Sequence, residues 1–353
     1  MRPFLVHVIP TLENAGAETI LARLVEEFDK RGIKQAVLVN KGEVTDFFYD
    51  KISLYCSVLL WKKEPQKTIT FLRNHKSNLK LLGWMYEGIF FAYYMNFRYR
   101  LNAELVWNIR QSNFLPHQVK QKVALYFFGL ASMLFKPKII YCAYAAEKLH
   151  KRFYFNAKKT KVIQNGLAKK PDSGGQSNIP IPSKFLLFVG RYDNIKGIDR
   201  LMHIVTSFFK KQSNYKLLIA GRGWRLENIP RELHNHVELI GNVPFVNELY
   251  QKAEAYLFTS YFEGFPNVVV EATCNGCPII AFEAGDAASI IKGYSLGHLV
   301  KTEKQFLDRL IKLTNQSISQ KSRLKEAKKQ KNRFQFKLTV DDYENFIYNN
   351  KLI

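Results

Sequence analysis

The chain has 353 residues, 47% of them hydrophobic, which is length and apolar content for two cores of ordinary domain size. Its 53 Lys and Arg against 30 Asp and Glu give a formal charge of +23, a balance that suits a large anionic partner such as nucleic acid, a membrane surface or phosphorylated substrates, with a generic lysine-rich surface as the alternative. Four cysteines exclude a disulfide scaffold in so long a chain, and no apolar run reaches the ~18 residues of a membrane-spanning helix.

In chain order, the opening MRPFLVHVIP is too short an apolar run for a secretory signal and is soon followed by Glu13 and Glu18. Residues 4–9 therefore read as a first core strand, and the compartment expected is the cytoplasm. Leu21, Leu24, Val25 and Phe28 recur as the stripe of a helix ending near Gly32, and 35–39 is the next strand. The turn between holds only Gly16 where G-x-G-x-x-G needs three glycines, so no nicotinamide cofactor is expected. Gly16 lets a ligand approach the backbone at a helix start, where peptide dipoles favour phosphate; a plain turn glycine would look the same.

Between Lys41 and Arg100 the pattern weakens, and the aromatic-rich 83–94 reads as partly helical core. Residues 105–109 form another strand that runs into Arg110, Gln111, Ser112 and Asn113, polar candidates for substrate contact unless the strand merely ends in solvent. Residues 119–135 read as a helix apolar on one face, and 139–142 as a short strand. Around them Lys120, Lys122, Lys136, Lys148, Lys151 and Arg152 lie among Phe127, Phe128, Phe135, Phe153 and Tyr154. Basic residues among exposed aromatics suit an anionic membrane interface or RNA; a solvated helix face is the alternative.

Residues 171–183, PDSGGQSNIPIPS, are the clearest linker. Beyond it the rhythm restarts with a strand at 185–189, a loop carrying Arg191 and Lys196, a helix with Leu201, Ile204, Val205 and Phe208 on its apolar face, and a strand at 216–220. Arg191 and Lys196 both follow a strand's carboxyl end, where two fixed cations suit a diphosphate. Strand 237–240 and a short helix near 248–252 then lead to FTSYFEGFPNVVVEATCNGCPIIAF, residues 258–282. There Gly264 and Pro266 stop a buried strand, Asn267 is the expected cap of a helix carrying Glu271, and 278–282 is the next strand. Three valines leave a strand through Glu271 open on propensity alone. Cys274 and Cys277 form a C-x-x-C with no second pair to complete a zinc site, which leaves tight helix-to-strand packing or a redox pair. A charged helix at 321–333 and an amphipathic one after it close the chain.

With these segments in order, the chain resembles the retaining glycosyltransferases of family four. AGAE at 15–18 is similar to that family's GGAE loop, with Ala15 for its first glycine, and WNIRQS at 107–112 and VIQNGL at 162–167 look like family segments. FVGRYDNIKGIDRL at 188–201 is similar to V-G-R-x-x-x-x-K-G, LLIAGRG at 217–223 to L-x-I-x-G-x-G, and EGFPNVVVE has the E-x7-E spacing. Single pieces are weak, but six in the right order are specific, and they cover essentially the whole chain.

The resemblance implies the α/β GT-B fold: two facing Rossmann-like domains, a deep interdomain cleft and a C-terminal helix crossing back to the first domain. The boundaries expected are an acceptor-binding domain at 1–170, the linker, a nucleotide-sugar domain at 184–335 and the last helix at 336–353. By resemblance Arg191 and Lys196 bind the donor diphosphate, Glu271 the ribose hydroxyls, and Glu263 lies by the sugar, these first two and Glu263 being the catalytic set. Gly16 and Ala17 approach the phosphates from the other domain, and Gly264, Phe265, Pro266 and Asn267 complete the donor site. Glu87, Arg110 and Gln111 are acceptor contacts; relatives often carry histidine where Glu87 stands, so no further role carries over to it. No D-x-D pair stands at a strand end, so neither metal nor cofactor is expected.

The expected reaction moves a sugar from a nucleotide sugar, most often a UDP-sugar, to a lipid-linked or surface-polysaccharide hydroxyl. The expected place is the cytoplasmic face of an anionic inner membrane, with no nucleic acid partner. The alternatives are an epimerase or phosphorylase on the same fold, and a non-catalytic protein that uses its charge to bind membrane or nucleic acid.

Overall fold

The computed structural model describes residues 2–13, 16–42, 44–112, 119–167, 181–243 and 246–349. The chain divides into two compact units, Met1–Asn165 with Phe336–Ile353 and Gly166–Gln335.

The first unit alternates strand and helix: β1 (Phe4–Ile9), α1 (Gly16–Lys30), β2 (Gln35–Val39), α2 (Asp46–Ser53), β3 (Ser57–Leu60), α3 (Pro65–Asn74), β4 (Leu79–Trp84), α4 (Met85–Arg98), β5 (Glu104–Ile109), α5 (Val119–Phe135), β6 (Lys138–Tyr141), α6 (Tyr144–Lys151) and β7 (Lys159–Val162). Its sheet runs β3-β2-β1-β4-β5-β6-β7 with parallel pairing throughout. Strands covered on both faces have to be apolar on both, and FLVHVI and QAVLV are except at His7 and Gln35, which hydrogen-bond each other. Along β1 the side chains alternate: Leu5 and Ile9 join the core under α1, while Val6 and Val8 join the one under α3 and α4.

The second unit contains β8 (Phe185–Val189), α7 (Ile198–Phe209), β9 (Lys216–Ala220), β10 (Val237–Gly241), α8 (Val246–Lys252), β11 (Ala255–Phe258), α9 (Asn267–Cys274), β12 (Ile279–Phe282), α10 (Ala287–Ile291), β13 (Gly297–Val300), α11 (Glu303–Thr314) and α12 (Gln320–Arg333). Its parallel sheet runs β10-β9-β8-β11-β12-β13. Both sheets thus reverse their winding once, at β1/β4 and at β8/β11. The crevice outside the carboxyl ends of two such strands is where open α/β sheets take ligands.

The last helix, α13 (Phe336–Tyr348), returns to the first unit as expected. Tyr343 stacks on Trp84 and donates its hydroxyl proton to Asn108, while Arg31 pairs with Asp341 and Glu344 at 2.7 Å.

Several expectations need correction. Helix α5 is not apolar on one face only: Leu125 and Phe128 are buried, yet Val123, Tyr126, Phe127, Leu130, Met133 and Leu134 are exposed, so both faces are apolar. Asn267 is the first residue of α9 rather than its cap; Pro266 holds the capping position, without a side-chain hydrogen bond. The strand left open at Glu271 is helix. Strands β3 and β4 fill the stretch where the sequence pattern weakens. Of the linker at 171–183, residues 171–180 lie outside the described residues, as do Ala15 and Asn113. No helix among the described residues is long and apolar enough to cross a membrane.

Candidate functional site

The switch point of the second sheet brings two loops together. After β8 the Arg191 guanidinium donates to Asp193 Oδ2 at 2.8–3.0 Å, and Asp193 Oδ1 accepts from the Ile195 amide at 3.1 Å, which caps the short turn Asn194–Lys196. Gly197 follows with φ 65°, and a Cβ there would lie 2.1 Å from the Thr259 carbonyl oxygen. Only glycine allows both that backbone and that approach. The loops are then laced: Thr259 Oγ1 donates to the Lys196 carbonyl at 2.9 Å and the Tyr261 amide to the Ile195 carbonyl at 2.8 Å.

That lacing sets Lys196 Nζ 2.6 Å from Glu263 Oε1, with both side chains mostly buried. Ser260 Oγ donates to the same oxygen at 2.9 Å. The two expected phosphate cations are therefore each held by a carboxylate, Arg191 by Asp193 and Lys196 by Glu263, and do not stand as bare charges. Sequence reasoning missed Asp193, Thr259 and Ser260; the available signal was their place within four residues of Arg191 and Glu263 at strand ends.

Beyond Glu263 the Gly264 carbonyl accepts from the Asp286 amide at 3.2 Å, and Phe265 is buried, so the loop enters α9 on a fixed path. Glu271 lies one turn into that helix, half-buried. Beneath both carboxylates is Tyr256, whose hydroxyl is pushed well above its ordinary pKa by burial first and by the charges of Glu263 and Glu271 after it. Cys274 and Cys277 are buried free thiols, both pushed up to about 12 by burial, which disfavours the thiolate and supports the packing reading of the C-x-x-C.

In the first unit the expected contacts surround the β1/β4 switch point. Gly16 and Ala17 open α1, and the next residue, Glu18, is buried with Oε2 unpartnered. Burial raises its pKa, against its own amide, the Thr11 hydroxyl and the Arg110 charge, which act to lower it. Glu18 was not among the expected site residues. Arg110 donates to Asn165 Oδ1 at 2.7 Å and to the Tyr343 hydroxyl at 3.4 Å, over the Trp84 ring. Gln111 beside it is half-buried. Glu87, exposed in the first turn of α4, pairs with Lys41 at 2.7 Å, and Met85 just before it has φ 58°, a strained position for a non-glycine residue. Among the described residues no three His, Cys, Asp or Glu side chains converge to hold a metal ion.

The folds of known proteins match throughout. HepE of Anabaena, solved in complex with UDP, superposes with a TM-score of 0.75 over 98% of this chain and 99% of its own at 16% identity. The lipopolysaccharide outer core galactosyltransferase WaaB gives 0.73 over 98% and 99%, also at 16%. The fold is GT-B. Within this GT-B chain, residues 170–331 match the family model "Glycosyl transferases group 1", a span that includes Arg191, Lys196, Glu263 and Glu271. Among curated relatives, an undecaprenol-linked glycan alpha-1,4-N-acetyl-D-galactosaminyltransferase of Campylobacter jejuni is 33% identical over 120 residues, 33% of each chain. The poly(glycerol-phosphate) alpha-glucosyltransferase of Bacillus subtilis is 28% identical over 138 residues, 37% of this chain and 20% of its own. The chain thus spans a third or less of the length of these two relatives.

Proposed function

We propose that the chain is a retaining, metal-independent glycosyltransferase that moves a sugar from a nucleotide sugar, a UDP-sugar first, to a hydroxyl of a lipid-linked or surface-polysaccharide acceptor. Its place of work in this reading is the cytoplasmic face of an anionic membrane. The observation that carries it is the Lys196–Glu263 pair at the β8/β11 switch point, inside the segment that matches the group 1 model. The UDP held by HepE and the acceptors named for the two curated relatives support the substrate classes.

In this reading the bond from the anomeric carbon to the diphosphate breaks as the acceptor oxygen bonds to that carbon, and the proton of the acceptor hydroxyl passes to the leaving diphosphate. Charge grows on the leaving diphosphate, so Arg191, Lys196 and the amino end of α9 stabilise the transition state more than the ground state. Glu263 holds the Lys196 ammonium in place and touches the sugar, while Glu271 binds the ribose and Gly16, Ala17, Gly264, Phe265, Pro266 and Asn267 close around the donor. Glu87, Arg110 and Gln111 contact the acceptor.

The test is incubation of the protein with UDP-, GDP- and ADP-sugars plus membrane lipid extract, with Glu263→Ala beside it. Transfer or hydrolysis of one donor, lost in the variant, is the expected result. No turnover of any donor would sink the reading, and steep salt-dependent binding untouched by Glu263→Ala would favour a non-catalytic binding protein.

A further inference from the structure

Helix α5 carries an apolar surface that the fold does not use. Gly129 seats one side of the helix on the chain after α6: a Cβ there would lie 1.9 Å from the Phe153 carbonyl oxygen. Phe128 stacks on Tyr86 of α4, and Leu125 and Ser132 are buried on the same side. The opposite side should be polar, yet Leu134 is 77% exposed, Leu130 63%, Val123 62% and Phe127 56%, with Tyr126 and Met133 beside them. At 100° per residue these six form one unbroken apolar arc about 120° wide. Neighbouring α4 adds exposed Phe90, Tyr94 and Phe97, spaced i, i+4, i+7. A helix apolar all round belongs in a core or a membrane, and patches of this kind mark interaction sites.

The charge around the arc selects the occupant. Between Glu87 and Glu147 the only acidic residue is Glu104, and that one is bound by Lys80 and Lys138. Arg98, Arg100, Lys136, Lys148, Lys151 and Arg152 are exposed on α4, α6 and the turns beside α5, Lys151 being paired with Glu147 at 3.0 Å. The arc is the convex side of a helix, with the Tyr126 hydroxyl its single polar side-chain group. Such a surface suits a fluid acyl layer under anionic headgroups better than a pre-shaped protein groove. We propose that α5 inserts this arc, Val123, Phe127, Leu130 and Leu134 foremost, into the acyl region of an anionic bilayer, with the surrounding Lys and Arg on the headgroups. The inference deepens the membrane reading above and rests on it for its purpose.

Its test uses the full chain and sedimentation with vesicles of phosphatidylcholine alone or mixed equally with phosphatidylglycerol. The wild type is expected on the anionic vesicles, and Phe127→Ser/Leu130→Ser/Leu134→Ser should lose affinity by about tenfold or more with its melting temperature kept. A separate Leu130→Trp variant should shift its emission to the blue on anionic vesicles and be quenched by brominated acyl chains. Triple-variant affinity within about threefold of wild type, or emission from Leu130→Trp that vesicles leave unmoved, overturns the insertion. So does a dimer that the triple substitution disperses while neither form binds vesicles, since a second copy would then cover the arc. Donor turnover without vesicles, measured on the same samples, keeps the two readings apart: its loss sinks the enzyme assignment and leaves the vesicle result standing.

Discussion

Lys196 and Glu263 constrain each other. The carboxylate, fixed by Ser260, keeps the ammonium at the loop junction, which is where the proposed reaction needs it to meet the leaving diphosphate. Lys196→Ala should therefore lower kcat/KM by roughly a hundred- to a thousandfold, the scale on which a preorganised stabilising group is removed from a leaving group; unchanged turnover would take Lys196 out of the site. Glu271→Gln should mainly raise the donor KM, because ribose contacts are present in ground and transition states alike, and an equal loss in kcat would contradict that role. Two buried histidines of the first unit set a pH limit. His7 Nδ1 accepts from the Trp84 indole, so Nε2 carries the proton and donates to Gln35; His150 Nδ1 donates to the Ala146 carbonyl and leaves Nε2 to accept from Tyr86. Burial holds both down from 6.5 to about 4. The unfolded chain takes up these protons below 6.5 and the folded chain only near 4, so stability is complete above 6.5 and falls through that window by roughly 3 kcal/mol per histidine. Urea unfolding at pH 7, 5.5 and 4.5 measures it, and a flat profile would refute it.

At the scale of elements, the candidate donor site depends on the turn before α7. Gly197→Ala adds a Cβ against the Thr259 carbonyl at an unfavourable φ, so a loss of roughly 3 kcal/mol is expected in thermal unfolding, with weaker donor binding as Lys196 leaves Glu263. That glycine was legible as part of a motif, but its reason, the neighbouring strand's carbonyl, was not. The same division runs through the fold. Strands of unbroken apolar residues such as FLLFV and AYLF announce themselves, whereas β4 has Lys80 as its second residue, whose charge is tolerable only because Glu104 of the adjacent strand answers it. Helix α12 was legible as charged, yet its attachment was not: Arg323 donates to the Ala253 carbonyl at 2.8 Å, and Arg333 to the carbonyls of Ser289, Ile290 and Lys292. The ordered motifs, and the resemblance they carry, singled out Arg191, Lys196, Glu263 and Glu271, but their pairing depends on strand order, which no local pattern carries.

For the whole molecule, the unit that holds the candidate donor site is continuous in sequence, while the other is made of two separated pieces. Leu167 and Gln335, close to the ends of the continuous unit, lie side by side in a parallel bridge. Removing residues 336–353 takes Val340, Tyr343 and Phe346 from the core under α1. We expect that truncation to abolish the melting transition of the first unit and leave that of the second in place, and calorimetry would resolve the two; a single unchanged transition would refute it. The consequence concerns birth rather than chemistry. On the ribosome the strands of the two-piece unit emerge before the inserted unit yet wait for α13, which follows that unit in sequence, so the inserted unit is free to finish first, reversing the usual order of nascent domains. During that interval Trp84, which Tyr343 later covers, is a surface a chaperone would meet.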